Sequence, residues 1–148
     1  MVPSASRYAL AYLFWVITVA FAFVALVVSR SSIMLTLGAT GWDRYAVHAL
    51  NQFGFLFLAI FGLGVIVFTE HFYRTGVEKR RLAARFLLIT TLEVIFLALM
   101  HLAGLISEMI LGLFASASLI IVVGEGLLAL VLFWLYRRAS RQAPSARW

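Results

Sequence analysis

Four long stretches of mostly apolar residues run through this chain, and short polar segments separate them. The stretches cover about 8–30, 50–73, 82–104 and 109–136. Each is long enough to supply the roughly 20 apolar residues with which an α-helix crosses the hydrocarbon core of a bilayer. The pattern therefore predicts an all-α integral membrane protein, in which four transmembrane helices form a single membrane domain over residues 1–148.

The first apolar stretch also resembles the core of a signal peptide, but it is too long for one. A signal-peptide core has roughly 7–15 apolar residues and is followed by a cleavage site of small residues such as Ala-x-Ala. The sequence that follows this stretch, Val28-Ser29-Arg30-Ser31, is a poor cleavage site. We therefore expect a signal anchor that stays in the protein as its first transmembrane helix.

The links between the stretches are short, which favours antiparallel neighbours. Only residues 105–108 join the third stretch to the fourth. There, Gly104 is expected to end one helix, while Ser107 caps the next helix and Glu108 lies in its first turn. The link at 31–49 is longer, and it is either an extension of the first helix plus a turn or a short helix on the membrane surface. Together the links predict an up-down-up-down four-helix bundle.

Composition supports the membrane assignment and removes several other classes of protein. Hydrophobic residues make up 64% of the 148 residues and charged residues 12%, and the mean hydropathy is +1.04. A soluble domain has roughly 25% charged residues, and a disordered chain combines low hydrophobicity with high charge. Both classes are therefore excluded. The chain has no cysteine, which excludes disulfides, thiolate metal sites and iron–sulfur clusters.

Basic residues mark one side of the predicted membrane domain. Of the 12 Lys and Arg residues, only Arg30 and Arg44 lie on the other side. The rest are Arg7, Arg74, Lys79, Arg80, Arg81, Arg85, Arg137, Arg138, Arg141 and Arg147. By the positive-inside rule both termini face the cytoplasm, and we expect a bacterial plasma membrane. The net charge of +6 then reflects topology rather than nucleic-acid binding, and residues 137–148 are expected to form a flexible basic tail.

Two acidic residues lie inside the predicted helices, where an ionised side chain is unfavourable by at least about 2.5–3.5 kcal/mol. The rise of about 1.5 Å per residue places Glu93 near the midplane and Glu125 about 9 Å nearer the cytoplasm. No Lys or Arg lies at a matching depth, so the neutral acids are favoured. One hypothesis is that they are hydrogen-bonded contacts between helices or subunits. The other is a proton or cation pathway that also uses Thr90, with His101 at its outer mouth.

A second group of polar residues is predicted at the outer ends of the helices. It comprises His48, Asn51, His101 and Glu108. Such a group has the chemistry to bind a divalent metal, to ligate a haem between two helices, or to hydrogen-bond a quinone carbonyl. The simpler interpretation is a set of interfacial side chains bonded to water or lipid, with no cofactor and no metal.

Small residues indicate where a helix can be approached closely. Gly112 and Ser116 form a small-xxx-small step, and Gly124 and Gly126 bare the backbone on both sides of Glu125. Such positions let a neighbouring helix, a lipid tail or a substrate come near the backbone. We therefore predict helix packing at these four residues.

Three functional hypotheses remain after the motif search. The chain has no phosphate-binding loop, no HExxH and no Gly-x-Ser-x-Gly motif, so we expect no catalytic residues and no enzyme. The leading hypothesis is a non-enzymatic accessory or structural subunit, partnered in the bilayer by another membrane protein or by a second copy. The second is a channel or transporter that moves protons or cations through Glu93 and Glu125. The third is a membrane anchor that holds haem or quinone with His48 and His101.

Overall fold

Four long α-helices make up almost all of the described chain. The structure is a computed structural model and describes residues 5–79, 81–113 and 116–142. The helices are α1 (Ala5–Ala39), α2 (Arg44–Glu78), α3 (Leu82–Ile110) and α4 (Ser116–Gln142). Those residues include no β-strand, and each helix is long and apolar enough to cross a membrane. The prediction of an all-helical protein with four candidate membrane spans is confirmed.

The helices extend beyond the apolar stretches that predicted them. Of the two alternatives for residues 31–49, the structure has the first, because α1 continues to Ala39 and a turn then leads to the start of α2 at Arg44. Gly41 supports this turn with a φ of 67°, a conformation that glycine adopts without strain. The fourth helix continues into the predicted tail as far as Gln142, so that part of the tail is helical. Residues 143–148 lie outside the described residues.

The end of α3 differs from the prediction, which placed it at Gly104. The helix continues to Ile110, and Gly112 is the left-handed residue that ends it, with a φ of 70°. The amide of Gly112 donates to the Met109 carbonyl at 3.2 Å, and the amide of Leu113 donates to the Glu108 carbonyl at 2.8 Å. This pair of bonds is a Schellman motif, which satisfies the last carbonyls of a helix. A left-handed glycine does end α3, as predicted, but it is Gly112, eight residues after Gly104.

Helices α1 and α3 form the central pair of the fold. The rings of Phe14 and Phe86 stack with 4.2 Å between their centroids, and further along both helices Thr36 Oγ1 lies 2.9 Å from Ser107 Oγ. From the first contact to the second, the residue numbers rise on both helices, so α1 and α3 run parallel. Ser107 is therefore an interhelical contact inside α3, and the prediction that it caps the fourth helix is wrong.

The two remaining helices pack on different partners. α2 runs antiparallel to α1, since Arg30 of α1 lies over the ring of Phe55 whereas Trp15 Nε1 donates to the Ile66 carbonyl at 3.1 Å, further along α2. α4 packs on α3. Within the described ranges α4 contacts neither α1 nor α2. The C-terminal half of α1 and the beginning of α4 therefore lie on either side of α3 with a space between them.

The end of the fold that includes the start of α1 is the more tightly packed one. Ala11, Tyr73, Val77 and Ile89 form its buried core, which joins α1, the end of α2 and the beginning of α3. The short link from α2 to α3 closes over this core, and the Arg81 amide donates to the Gly76 carbonyl at 2.9 Å. The opposite half of the molecule contains the contact between His101 and Glu125 and a cavity of about 400 Å³.

Candidate functional site

The central feature of the polar half is a contact between His101 on α3 and Glu125 on α4. The imidazole Nδ1 lies 2.9 Å from both Oε1 and Oε2 of the carboxyl group. The exposed fractions of the two side chains are 30% and 19%, so both are largely enclosed by protein. An imidazole and a carboxyl group at hydrogen-bonding distance share a proton, which resides on either group according to the surroundings.

The position of the turn between α3 and α4 brings these two residues together. His101 comes nine residues before Ile110, the end of α3, and Glu125 comes nine residues after Ser116, the beginning of α4. The prediction placed the turn at 105–108, which put Glu125 too far toward the cytoplasmic end. With the turn at Leu111–Leu113, the two residues have equal depth.

A cavity of about 400 Å³ lies beside this pair, between α1, α3 and α4. Its walls are mostly apolar, and its polar lining comes from all three helices. The polar lining residues are Ser31, Ser32, His101, Glu108 and Ser118. The cavity is open rather than enclosed, since α1 and α4 are not in contact within the described ranges. We call this space the outer groove, after the predicted outer ends of the helices at which it lies.

Glu108 contributes an unsatisfied atom at the outer groove. Its Oε2 atom is buried and has no hydrogen-bond partner among the described residues. Glu108 comes seven residues after His101 on α3. Seven residues make about two helical turns, so both side chains lie on nearly the same face of the helix. The groove therefore has acidic character, with Glu108 on its lining and Glu125 behind His101.

Glu93 is not part of the outer groove and does not bond to Glu125. Both of its carboxyl oxygens are buried without a hydrogen-bond partner in the described chain, and so is Oγ1 of Thr90. Glu93 precedes His101 by eight residues, a rise of about 12 Å along α3. Glu93 and Glu125 were predicted to share a proton or cation pathway without touching; in the structure the carboxyl group of Glu125 is bonded to His101.

A second polar cluster surrounds Glu93 at the level of the packed end. Tyr73 and Thr18 hydrogen-bond to each other there, and Thr90 lies about one turn before Glu93 on α3. Two buried apolar residues, Val94 and Leu97, occupy α3 between this cluster and His101. The residues of the proton or cation pathway expected from the sequence therefore lie in two separate clusters, with Thr90 and Glu93 in one and His101 and Glu125 in the other.

The predicted outer group of His48, Asn51, His101 and Glu108 is also divided. Asn51 lines a small cavity between α1 and α2 with Arg30 and Phe55, and His48 is exposed in the first turns of α2. His101 and Glu108 face the outer groove, on the side of α1 away from α2. No set of three or more metal-ligating side chains that could hold an ion occurs among the described residues.

The four predicted packing residues do not mark contacts between helices of this chain. Gly112 lies in the turn after α3, and Ser116 is exposed at the beginning of α4. A Cβ atom at Gly112, Gly124 or Gly126 would meet nothing within 4 Å. Gly124 and Gly126 are open because α4 packs on no helix other than α3 within the described ranges.

The close approach of helices lies instead at Gly104, which the sequence analysis assigned to a helix end. A Cβ atom there would lie 3.3 Å from Ser32 Oγ on α1. The signal in the sequence is the repeated small residues Ser29, Ser32 and Thr36 opposite Gly104 and Ser107. Ser32 and Ser118 are groove residues that sequence reasoning missed, since serines in apolar helices usually bond their own backbone.

Comparison with protein-family models, with curated proteins and with solved structures finds no match for this chain.

Proposed function

We propose that this protein is a small multi-pass membrane protein that moves protons, or a cation in exchange for protons, with His101 and Glu125 as its protonation site. The observation that carries the proposal is the contact of 2.9 Å between Nδ1 of His101 and both carboxyl oxygens of Glu125. Ionisable side chains within membrane helices are unfavourable and mark functional positions by default. This pair is also adjacent to an open groove from which a proton can arrive.

The pair suits reversible protonation because each group stabilises the other in both states. When the pair holds one transferable proton, that proton bridges Nδ1 and a carboxyl oxygen; when it holds two, the imidazolium Nδ1–H donates to the carbonyl oxygen of the neutral acid. A proton released from the pair moves toward the groove or toward Glu93. The neutral one-proton state requires no further counter-ion, which matters at a depth without Lys or Arg.

Passage to the other side of the membrane requires the second cluster. Glu93 is the acceptor on that side, about 12 Å along α3 from His101. Val94 and Leu97 separate the two clusters and exclude a direct hydrogen bond. We propose that α3 and α4 shift relative to each other during transport, so that water connects His101 and Glu93. Because α4 packs on α3 alone in the described chain, no other helix has to move with it.

The proposal is tested by proton flux into proteoliposomes under a pH gradient. Glu125→Gln retains a carbonyl that accepts a hydrogen bond from His101 but carries no proton, so flux is expected to fall by about tenfold or more. Glu78→Gln is the matched control, since Glu78 is exposed at the end of α2. Wild-type flux equal to that of empty liposomes, or equal flux in Glu125→Gln, would contradict the proposal.

We propose a second candidate, a non-enzymatic accessory subunit or homo-oligomer, because α2 and α4 are so little covered. Only 6% of the most apolar window of each helix is buried inside the protein, and Gly124 and Gly126 leave space beside the α4 backbone. Lipid covers such faces as readily as another helix does. A stoichiometric partner that co-purifies, or a stable dimer in several detergents, supports this candidate.

The orientation in the membrane is a further part of the proposal. Both termini and the α2–α3 link are placed in the cytoplasm of a bacterial cell, on the support of the basic residues concentrated there. The outer groove then opens toward the extracellular half of the bilayer. The tight core at the start of α1 lies on the cytoplasmic side, and the alternating helix directions give the up-down-up-down order.

A further inference from the structure

Among the described residues, Glu108 of α3 is the carboxylate that lines the outer groove. The other titratable lining residue, His101, is bonded to Glu125 on α4. The further polar lining in the described chain consists of the hydroxyls of Ser31 and Ser32 on α1 and of Ser118 on α4. The nearest basic residue in sequence, Arg30, lies over the ring of Phe55 on α2, 5.1 Å from its centroid. The groove is therefore suited to a positively charged group.

The groove also has apolar walls, which suit the hydrocarbon part of a ligand. Val27, Val28, Leu35, Leu105 and Ile121 line it. Its volume of about 400 Å³ is within the range of about 300–1,000 Å³ that is typical of small-molecule sites. Because α1 and α4 do not close over it in the described chain, an alkyl chain can extend from the groove into the bilayer.

The unsatisfied atom of Glu108 specifies the kind of cation. A buried carboxyl oxygen without a partner is unfavourable until a donor reaches it. A primary ammonium group supplies three N–H donors, enough for Glu108 and two of the groove's serine hydroxyls. A quaternary ammonium group has the same charge but no N–H, so it leaves Oε2 of Glu108 without a hydrogen bond.

We propose that the outer groove binds the primary ammonium group of an amphiphilic amine, with Glu108 as the main acceptor and the alkyl chain directed into the bilayer between α1 and α4. The proposal extends the proposed function, since it names the cation that the same groove takes. Its tests depend on Glu108, whereas proton flux depends on Glu125. Failure of one is therefore distinguishable from failure of the other.

The experiment measures binding of dodecylammonium at neutral pH to the full chain in a neutral maltoside detergent, by isothermal titration calorimetry. Dodecyltrimethylammonium is the matched probe with equal charge and chain length. The primary amine is expected to bind roughly tenfold more tightly, because a hydrogen bond to a charged group is worth about 1.5–3 kcal/mol. Equal affinity of the two probes would mean that the measured heat comes from partitioning into the micelle, and it would overturn the proposal.

Variants locate the site. Glu108→Gln is expected to weaken dodecylammonium binding by about tenfold, whereas Glu78→Gln, with the same loss of charge on the exposed end of α2, leaves it unchanged. Ser118→Trp fills the groove without changing its charge and is also expected to abolish binding. Unchanged affinity in both groove variants, with the folded helical circular-dichroism spectrum retained, would overturn the proposal. If Glu108→Gln does not fold, the Ser118→Trp result decides.

A lipid headgroup can supply the same ammonium group. Native mass spectrometry of the protein from nanodiscs tests this source with phosphatidylethanolamine against phosphatidylcholine, whose headgroup has no N–H. Retention of phosphatidylethanolamine by the wild type and not by Glu108→Gln supports the site with a lipid as its ligand. Dodecylammonium binding without such retention supports the site with a free amine. Loss of both overturns it.

Discussion

Oγ of Ser32 on α1 lies 3.3 Å from the position that a Cβ atom at Gly104 of α3 would occupy. The two helices approach closely there because one of them has no side chain. The neighbouring hydrogen bond between Thr36 and Ser107 then spans the interface at 2.9 Å. This contact sets the spacing of α1 and α3 at the outer end, and with it the position of His101 and of the groove.

Enlarging Gly104 is expected to separate α1 and α3. Gly104→Leu places a branched side chain against Ser32 and should destabilise the protein by about 1–3 kcal/mol, the usual range for overpacking. The measurement is unfolding by sodium dodecyl sulfate titration, followed by circular dichroism. Gly62→Leu on α2 is the control, because a Cβ atom there meets nothing within 4 Å. Equal stability of the two variants would show that the close approach is not required.

The turn after α3 requires glycine for its backbone conformation rather than for close packing. Gly112 has a φ of 70°, and an alanine in the left-handed region is unfavourable by about 1–2 kcal/mol. Gly112→Ala should therefore lower the midpoint of thermal unfolding in detergent. Gly124→Ala lies inside α4 with open space around its Cβ position, so it should be neutral or slightly stabilising. A Gly112→Ala variant as stable as Gly124→Ala would contradict the assignment of the turn.

The hydroxyls of Thr18 and Tyr73 are expected to stabilise the packed end jointly. Both residues are buried and their oxygens lie 2.7 Å apart. A double-mutant cycle with Thr18→Val and Tyr73→Phe should give a coupling of about 0.6–2 kcal/mol, the range measured for hydrogen bonds between membrane helices. Unfolding free energies of the four proteins supply the measurement. A coupling of zero would mean that each hydroxyl finds another partner when its neighbour is removed.

The natural absence of cysteine allows the orientation to be measured without background. Single substitutions Thr40→Cys, Lys79→Cys and Ser140→Cys place a thiol at three exposed positions. A membrane-impermeant maleimide applied to intact cells should label Thr40→Cys alone, and permeabilised cells should show all three labelled. Labelling of Ser140→Cys in intact cells would invert the proposed topology.

The positions of the helices were predictable because the hydrocarbon core demands long apolar runs. The charge asymmetry that predicts orientation was equally clear. The end of α3 was not predictable, because Leu105 and Ile106 continue an apolar helix as readily as they form a link. Gly104 and Gly112 are both suited to end a helix, and only the contact of Gly104 with Ser32 distinguishes them.

That one boundary also decides the candidate site. With the turn at 105–108, Glu125 falls nearer the cytoplasm than Glu93, and the two acids look like a pair. With the turn after Ile110, Glu125 meets His101 instead. A shift of six residues along an antiparallel hairpin changes every contact between its helices, so side-chain pairing could not be derived from the sequence.

The most direct test of the central claim compares Glu125→Gln with Glu93→Gln in the same assay of proton flux into proteoliposomes. The account assigns the first protonation to the bonded pair on α3 and α4, and the second to the unpaired acid below Leu97. It predicts that each substitution abolishes net flux. It also predicts that only Glu93→Gln retains rapid protonation of His101 from the outer side, observed by nitrogen-15 NMR of the imidazole. Full flux in Glu125→Gln, with His101 still folded against α4, would contradict the account.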